Sequence, residues 1–149
     1  TRPELGGSEA LAVIHETVAG APPLVDLGAE VALARLLSDS RVGGHAHDLS
    51  EGGLAVALAE IVIGSGCGAR VTMSDASTPH LFGESVARAV LCCRDDEIAG
   101  VVERAGDAGI AATVVGRLEG SHLDVAEALR VSVDDLRVPF ERTIPDLMR

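Results

Sequence analysis

The sequence predicts an α+β domain in which helices pack on a mixed or antiparallel sheet. The chain has 149 residues, which fits one domain and is long enough to bury a core. Apolar residues recur at helical spacing in several capped segments, and short apolar runs typical of strands lie between them. Two of these runs, residues 111–118 and 122–125, are separated by a short turn, which indicates a hairpin. Helices interleaved with hairpin-joined strands favour a layered α+β fold.

The helices are predicted from capping residues and from the residues that end them. Ser8 and Asp26 are plausible N-caps of the first two helices. A third segment is apolar at every position except Glu60, which suits a buried helix. The glycine cluster Gly64–Gly68 follows this helix rather than a strand, so it is interpreted as a C-cap and turn. The predicted helices are residues 8–20, 26–40, 54–63, 95–109 and a short helix from Ser132 that ends before Pro139 and Pro145.

Five apolar runs are predicted to form strands. The first leads into the buried helix through a turn that contains two glycines. Residues 74–79, which include a proline, are predicted to be a loop. The predicted strands are residues 42–46, 69–73, 86–93, 111–118 and 122–125.

The composition excludes several functions. The net charge is −11, and all twelve basic residues are arginines. A chain this acidic, whose aromatic residues are Phe82 and Phe140, lacks both the positive charge and the stacking surface of nucleic-acid-binding proteins. Without lysine it has no Walker lysine and forms no Schiff base. An anion would therefore have to be held by backbone amides, by arginine or by a bridging metal.

Cysteine usage and hydropathy indicate a cytoplasmic protein. The cysteines at positions 67, 92 and 93 are odd in number and lack metal-binding spacing, which favours a reducing compartment. Adjacent residues on a strand point to opposite faces, so Cys92 and Cys93 are predicted to be one buried and one partly exposed thiol. The longest apolar run, residues 54–63, is too short to cross a bilayer.

The most informative stretch runs from His47 to Leu54 and reads His-Asp-Leu-Ser-Glu-Gly-Gly-Leu. A strand that turns through two glycines into a helix presents unpaired N–H groups and the positive end of the helix dipole, where phosphate and other anions bind. The alternative is a helix start capped by Asp48 or Ser50, in which the glycines only relieve the turn. The candidate phosphate- or nucleotide-binding residues of this stretch are His47, Asp48, Ser50, Glu51, Gly52 and Gly53.

A second unusual stretch contributes Glu84, Ser85 and Arg88 as further candidates. If the strand already begins at Glu84, then Glu84 and Arg88 lie on one face, roughly 13 Å apart, which is too far for a direct ion pair. Arg88 lies in an apolar run, where an unpaired guanidinium would be costly. It either pairs with Asp48 or Glu51, or faces an anionic ligand shared with Glu84.

Together these stretches resemble the phosphoribosylformylglycinamidine synthase family. The residues that carry the resemblance are His47–Leu54 and Leu81–Ser85 with Arg88, supported by Gly7-Ser8-Glu9 and by Ile144–Met148 near the end of the chain. More specifically, they resemble the second copy of the aminoimidazole-ribonucleotide-synthetase-like C-terminal domain in the synthetase subunit. The resemblance covers nearly the whole chain, so residues 1–149 are expected to be one such domain, a fragment of a longer enzyme.

The resemblance implies a three-layer α/β/α fold with partial ferredoxin-like topology and a role in de novo purine biosynthesis. Enzymes of this family use ATP and Mg²⁺ to activate the formamide oxygen of a ribotide, and ammonia from a glutaminase partner then displaces phosphate. The implied partners are the other domains of the synthetase, the glutaminase subunit, a small accessory subunit and the ribotide substrate.

The resemblance also bears on individual residues. It implies that Asp48 is a candidate Mg²⁺ ligand, and it matches Glu84 and Ser85 to a motif that helps to bind metal and substrate. It assigns no catalytic residue to this chain, which is expected to be inactive by itself.

Two alternative functions stay open. In some relatives the second copy frames an auxiliary nucleotide site, and in others it is largely structural, so a non-catalytic scaffold or nucleotide-binding module is the first alternative. The second is a metal-dependent hydrolase, because His45, His47 and Asp48 have a spacing that can bind Zn²⁺. The acidic residues 95–97 also suggest a metal cluster, but they are predicted to start a helix, where carboxylates favour the dipole.

Overall fold

The computed structural model describes residues 4–149, so the first three residues of the predicted domain lie outside the described part. The helices are α1 (Glu9–Ile14), α2 (Leu27–Leu37), α3 (Gly53–Ser65), α4 (Thr78–Phe82), α5 (Ile98–Asp107) and α6 (Val133–Leu147). The strands are β1 (His45–Asp48), β2 (Ala69–Val71), β3 (Ala89–Cys92), β4 (Gly116–Leu118), β5 (His122–Val125) and β6 (Leu129–Ser132).

The strands form two sheets. In the smaller sheet, β1 pairs with β3 in an antiparallel register that places Asp48 opposite Ala89. The larger sheet has the order β4-β2-β5-β6, in which β2 and β5 are parallel and the other pairs are antiparallel. The predicted α+β class with a mixed sheet is therefore confirmed.

The predicted hairpin between residues 111–118 and 122–125 is wrong, because β2 lies between β4 and β5. The connecting turn instead crosses the start of β2. Gly68 donates to the carbonyl of Gly120 and accepts from the amide of Glu119, both at 2.8 Å. A Cβ at Gly68 would overlap the backbone of His122, so only glycine lets the turn pass this close. The hairpin of this region is formed by β5 and β6.

Capping residues set several helix starts as predicted. Ser8 accepts from the amide of Leu11, Asp26 from that of Ala29, and Ser132 from that of Asp135. Helix α3 ends at Ser65, and its C-cap residue Gly66 adopts a left-handed conformation, as predicted from the glycine cluster. The first helix is shorter than expected, since α1 stops at Ile14.

Two helices depart from the expectation. Residues 74–77 form the predicted loop, but Thr78 and Pro79 already begin helix α4, with the proline in its first turn, where a missing N–H costs nothing. Helix α6 continues through Pro139 and Pro145 to Leu147. Every residue from 138 to 149 is exposed, so water can solvate the carbonyl groups that the prolines leave without a partner.

Helix α3 is the centre of the core. It contacts α4, α6, β1 and β5, and seven of its residues are buried. Val62 on α3 and Val125 on β5 are completely buried. The core is aliphatic, and its buried members are Leu49, Leu54, Ala55, Ala57, Leu58, Val62, Ala69, Val71, Leu81, Leu123, Val125 and Val133. Within residues 4–149, no helix is long and apolar enough to cross a membrane.

An open, mainly apolar cleft of about 590 Å³ lies where α2, α5, β3 and β4 approach one another. Cys92 and Cys93 both line it, and both are half-buried, so the predicted division into one buried and one partly exposed thiol is wrong. Burial raises the pKa of both thiols. The carboxylates of Glu97, Asp95 and Asp96 raise the pKa of Cys93 further.

Truncation of the most buried valine tests the packing of α3. We expect Val62→Ala to lower the free energy of unfolding by about 2 kcal/mol, because it removes two methyl groups from a site with 0% exposure and leaves a cavity. Val56→Ala on the same helix, at 37% exposure, is the matched control and should change it by less than about 1 kcal/mol. Urea denaturation measures both values, and equal effects would contradict the assigned core.

Alkylation kinetics test the environment of the two adjacent thiols. Because burial raises their pKa values above that of an ordinary thiol, Cys92 and Cys93 should react with iodoacetamide more slowly at neutral pH than free cysteine does. The rate should rise with pH as the thiolate fraction grows. Peptide mass spectrometry assigns the modified position, and Glu97→Gln should speed the reaction at Cys93 in particular. Rapid labelling of both thiols at pH 7 would contradict this assignment.

Candidate functional site

The stretch from His47 to Leu54 begins on a strand and ends in the first turn of α3. The predicted strand 42–46 is displaced, because Gly44 has a φ of 108° and a Cβ there would overlap the carbonyl of Cys92. Strand β1 therefore starts at His45 and includes His47 and Asp48. This shift matters for the site, because the pleat of β1 sends these two neighbouring side chains to opposite faces.

The two glycines of the stretch allow α3 to start against another backbone segment. Gly52 and Gly53 have positive φ values of 77° and 62°. A Cβ on Gly53 would lie 2.7 Å from the carbonyl oxygen of Gly83 and 2.9 Å from that of Leu81. Gly53 thus brings the start of α3 into contact with the end of α4, whereas a Cβ on Gly52 would overlap the side chain of Val56. No ligand is needed to explain either glycine.

The anion at this helix start is the carboxylate of Glu84. Its Oε1 atom accepts hydrogen bonds from the amide of Gly52, at 2.8 Å, and from the amide of Glu9, at 2.9 Å. Gly52 is the N-cap residue of α3, so the alternative of a helix start capped by Asp48 or Ser50 is wrong. One carboxylate oxygen therefore satisfies backbone donors at the starts of both α1 and α3.

Glu84 and Arg88 do not share a strand face, because β3 starts only at Ala89. Both belong to the segment Glu84–Arg88, here called the 84–88 loop. The Arg88 Nη1 atom donates to the carbonyl of Gly83 at 3.1 Å, and the Arg88 carbonyl accepts from the amide of Leu49 at 3.2 Å. Arg88 is therefore hydrogen-bonded to both the loop and the motif stretch.

Arg88 is half-buried, and burial lowers the pKa of its guanidinium. In the part of the chain that the structure describes, no carboxylate oxygen lies within 4.0 Å of this guanidinium. The ion pair with Asp48 or Glu51, one of the two alternatives for Arg88, is accordingly not formed. Arg88 keeps N–H donors that an anionic ligand could use.

The 84–88 loop also contains an unusual backbone conformation and a buried hydroxyl. Ala87 has a φ of 56°, in the left-handed region that favours glycine. Its amide donates to Oε1 of Glu30, on α2, at 2.8 Å. Ser85 is buried, and its Oγ has no hydrogen-bond partner among residues 4–149. Glu30 is not among the residues predicted from the sequence, because it lies in the first turn of an exposed helix and no motif includes it.

An acidic cleft of about 620 Å³ lies beside the loop. The charged residues that line it are Glu30, Asp48, Glu51, Glu84 and Arg88, and Ser50 lies among them. The cleft therefore brings together five of the nine predicted site residues. The other four, which are not among its lining residues, are His47, Gly52, Gly53 and Ser85.

His47 lies away from the cleft. Its Nε2 atom is 3.0 Å from Oε2 of Glu60 on α3, and its Nδ1 atom is 2.7 Å from the carbonyl oxygen of Asp48. The geometry gives no support to the His-x-His-Asp zinc site, since residues 4–149 contain no group of three or more His, Cys, Asp or Glu side chains that could hold a metal.

The acidic residues 95–97 also make ion pairs rather than a metal cluster. Asp95 pairs with Arg117, and Asp96 and Glu97 pair with Arg94. They were predicted to open the helix, but α5 starts only at Ile98, directly after them, with Glu97 as its N-cap residue.

The carboxylates of the cleft fit Mg²⁺ only if phosphate and water supply the remaining ligands. Asp48 has a side chain that is 78% exposed, and Glu51 is exposed as well. Mg²⁺ is commonly bound by one or two carboxylates together with waters and phosphate oxygens. These two carboxylates therefore suit an ion that arrives with a phosphate ligand, and they do not form a closed protein cage.

The fold of this chain is similar to that of a domain in solved structures. The structure of Thermotoga maritima PurL complexed with FGAR matches with a TM-score of 0.71 and 19% identity, over 82% of this chain and 23% of that one. T. maritima PurL complexed with ATP matches with a TM-score of 0.69 and 19% identity, over 89% of this chain and 24% of that one. At this level of identity the likeness shows a shared fold.

The sequence identifies the family. Residues 3–127 match the family described as AIR synthase related protein, C-terminal domain, and the chain belongs to it. The subunit PurL of phosphoribosylformylglycinamidine synthase from Thermobifida fusca is 40% identical over 153 residues, covering 99% of this chain and 20% of the relative. The same subunit from Nocardioides sp. is 41% identical over 147 residues, covering 97% and 19%. The chain thus spans about a fifth of the length of these curated relatives.

Substitution of Glu84 tests the bridge between the two helix starts. Glu84→Ala should lower the free energy of unfolding by about 2 kcal/mol, because two backbone amides lose a charged acceptor. Glu84→Gln keeps an oxygen acceptor and should lower the free energy of unfolding clearly less than Glu84→Ala does. Thermal and urea unfolding measure the difference, with Glu127→Ala at an exposed position as the control. If Glu84→Ala proves as stable as this control, the bridge does not hold the fold.

Proposed function

We propose that this chain acts as a C-terminal synthetase-type domain of an ATP-dependent, glutamine-fed ligase. The reaction converts formylglycinamide ribonucleotide to formylglycinamidine ribonucleotide in purine biosynthesis. Membership of the family and the names of the relatives support this activity. As the chain spans about a fifth of those relatives, we take residues 1–149 to be one domain of the enzyme, corresponding to the second copy.

The observation that carries a ligand-binding role is the position of Arg88. It is half-buried, it lines the acidic cleft, and it has no ion-pair partner in the described part of the chain. A guanidinium that is partly removed from water without a counterion is costly, and a phosphate group would supply the missing charge. Structures of T. maritima PurL complexed with ATP, ADP and AMPPCP support a nucleotide phosphate as the ligand.

Mg²⁺ fits this proposal as a partner of the phosphate. A free phosphate would be repelled by the four carboxylates that line the cleft with Arg88. When bound, Mg²⁺ would neutralise part of the phosphate charge. Asp48 and Glu51 would hold it from the protein side, while Arg88 would donate to a phosphate oxygen.

The proposed partners are the rest of the synthetase, its glutaminase subunit and a small accessory subunit. The T. maritima complex named PurLQS supports an assembly with other subunits. This chain also exposes large apolar side chains along one segment, as expected for a face that other protein covers. These side chains are Val13, Ile14, Val18, Leu24, Val25 and Leu27. Three free cysteines agree with the reducing cytoplasm, where we place the enzyme.

One observation favours the alternative of a scaffold domain. The carboxylate of Glu84 already occupies the amide of Gly52 that a phosphate would otherwise use at the start of α3. On this alternative the motif fastens α1, α3 and α4 together, and the cleft binds nothing. The two candidate functions differ in whether Arg88 contacts a nucleotide.

Calorimetric titration with Mg²⁺-ADP separates these candidates. We expect the chain to bind Mg²⁺-ADP, and Arg88→Gln to weaken binding by at least tenfold, because it removes the cation that meets the phosphate. Arg142→Gln, at an exposed position on α6, is the matched control and should bind like the unaltered chain. Absence of binding to the unaltered chain would favour the scaffold.

Turnover provides a separate test. The chain by itself should form no product from ATP, Mg²⁺, ribotide and ammonia, because it contains none of the residues assigned to catalysis in the family. In a full-length synthetase that carries this domain, Asp48→Asn and Arg88→Gln should change the kinetics without an equal loss of stability. A loss of stability alone would again favour the scaffold.

A further inference from the structure

We propose that Glu30 is a positioning residue that sets Arg88 toward the cleft through the left-handed backbone of Ala87. The inference rests on the proposed function, because it names a second residue on which the same ligand site depends. Glu30 lies on α2, 57 residues before Ala87, and accepts a hydrogen bond from the amide of that alanine.

The backbone at Ala87 requires outside support. Its φ of 56° places it in a region where the Cβ of any residue except glycine crowds the backbone. Such conformations persist where surrounding contacts over-determine them, and they cluster at ligand sites. The hydrogen bond from the amide of Ala87 to Oε1 of Glu30, at 2.8 Å, is such a contact.

The 84–88 loop is fastened from three sides. Glu84 fastens its first residue to the starts of α1 and α3. The amide of Leu49 holds the carbonyl of Arg88 at 3.2 Å. Glu30 adds the connection to α2 at the residue directly before Arg88, where the chain turns. The direction of the Arg88 side chain therefore depends on the conformation that Glu30 stabilises.

The distribution of charge explains why a carboxylate can serve here without neutralising Arg88. Oε1 of Glu30 is hydrogen-bonded to a backbone amide, and Glu30 is not among the ion-pair partners found within 4.0 Å of any described guanidinium. The guanidinium of Arg88 makes its hydrogen bond to the carbonyl of Gly83 instead. Its remaining N–H donors stay available for an anion.

A positioning role for Glu30 predicts a change in phosphate affinity that is opposite in sign to the change expected from charge alone. Removal of Glu30 takes one negative charge from the wall of the cleft, which by itself would strengthen the binding of a phosphate. If Glu30 positions Arg88, its removal must weaken binding, because the amide of Ala87 loses its acceptor and the left-handed turn is no longer stabilised.

The test compares Glu30→Ala, Glu30→Gln and Glu103→Ala in the complete chain. Glu103 is an exposed glutamate on α5 and controls for the loss of one charge from a helix. Calorimetry measures the affinity for Mg²⁺-ADP and for inorganic phosphate in the presence of Mg²⁺, and nuclear magnetic resonance measures hydrogen exchange at the amide of Ala87. Glu30→Ala should weaken the binding of both probes at least fivefold and speed the exchange at least tenfold. Glu30→Gln keeps an acceptor oxygen and should bind both probes at least as tightly as the unaltered chain. Glu103→Ala should have the same affinity and the same exchange rate as the unaltered chain.

A double variant tests whether the effect passes through Ala87. Glycine adopts the left-handed conformation without strain, so Ala87→Gly added to Glu30→Ala should recover part of the lost affinity. Unchanged or tighter binding by Glu30→Ala overturns the positioning role while leaving the proposed function intact. If the unaltered chain binds neither probe, the proposed function fails, and faster exchange in Glu30→Ala then shows a purely structural contact, which also overturns the inference.

Discussion

The carboxylate of Glu84 is the contact on which the arrangement of this domain depends. It accepts hydrogen bonds from the first amide of α1 and from the N-cap amide of α3, two helix starts that are far apart in the sequence. A helix start needs acceptors for its free N–H groups and favours negative charge. Because one oxygen atom serves both, the motif at residues 47–54, the 84–88 loop and the first helix are held in a single relative position. The helix start that resembles an anion-binding site therefore already has its anion, the carboxylate of Glu84.

The elements predicted correctly are those whose signal is local. Helix α3 was predicted from an almost unbroken apolar run and a glycine C-cap, and the starts of α2 and α6 from Asp26 and Ser132. The hairpin prediction failed because strand pairing depends on what inserts between two neighbouring runs. No local feature of residues 111–125 indicates that β2 lies between them, since that arrangement arises from the close crossing at Gly68.

The candidate site was predicted as a set of residues, but its geometry was not. A displacement of β1 by a few residues decides that Asp48 faces the cleft while His47 contacts Glu60 on α3. Glu84 was selected as a ligand-binding residue because it was expected on the same strand face as Arg88 and because the resemblance matches it to a metal- and substrate-binding motif. Its hydrogen-bond partners are instead backbone amides. Glu30 could not be found, because its role depends on a hydrogen bond to a residue 57 positions away. The motif indicates which residues approach one another, and the three-dimensional structure decides which of them remain free to bind.

The exposed apolar segment has a consequence for the behaviour of this chain in solution. Residues 13–27 present valine, leucine and isoleucine side chains to water, and Phe140, Ile144 and Leu147 do the same on α6. The net charge of −11 opposes contact between copies, since like-charged molecules repel. This repulsion is screened by salt, whereas the attraction between apolar surfaces is not. Colloidal stability therefore depends on ionic strength, and concentrated salt would favour self-association of a chain that low salt keeps dispersed.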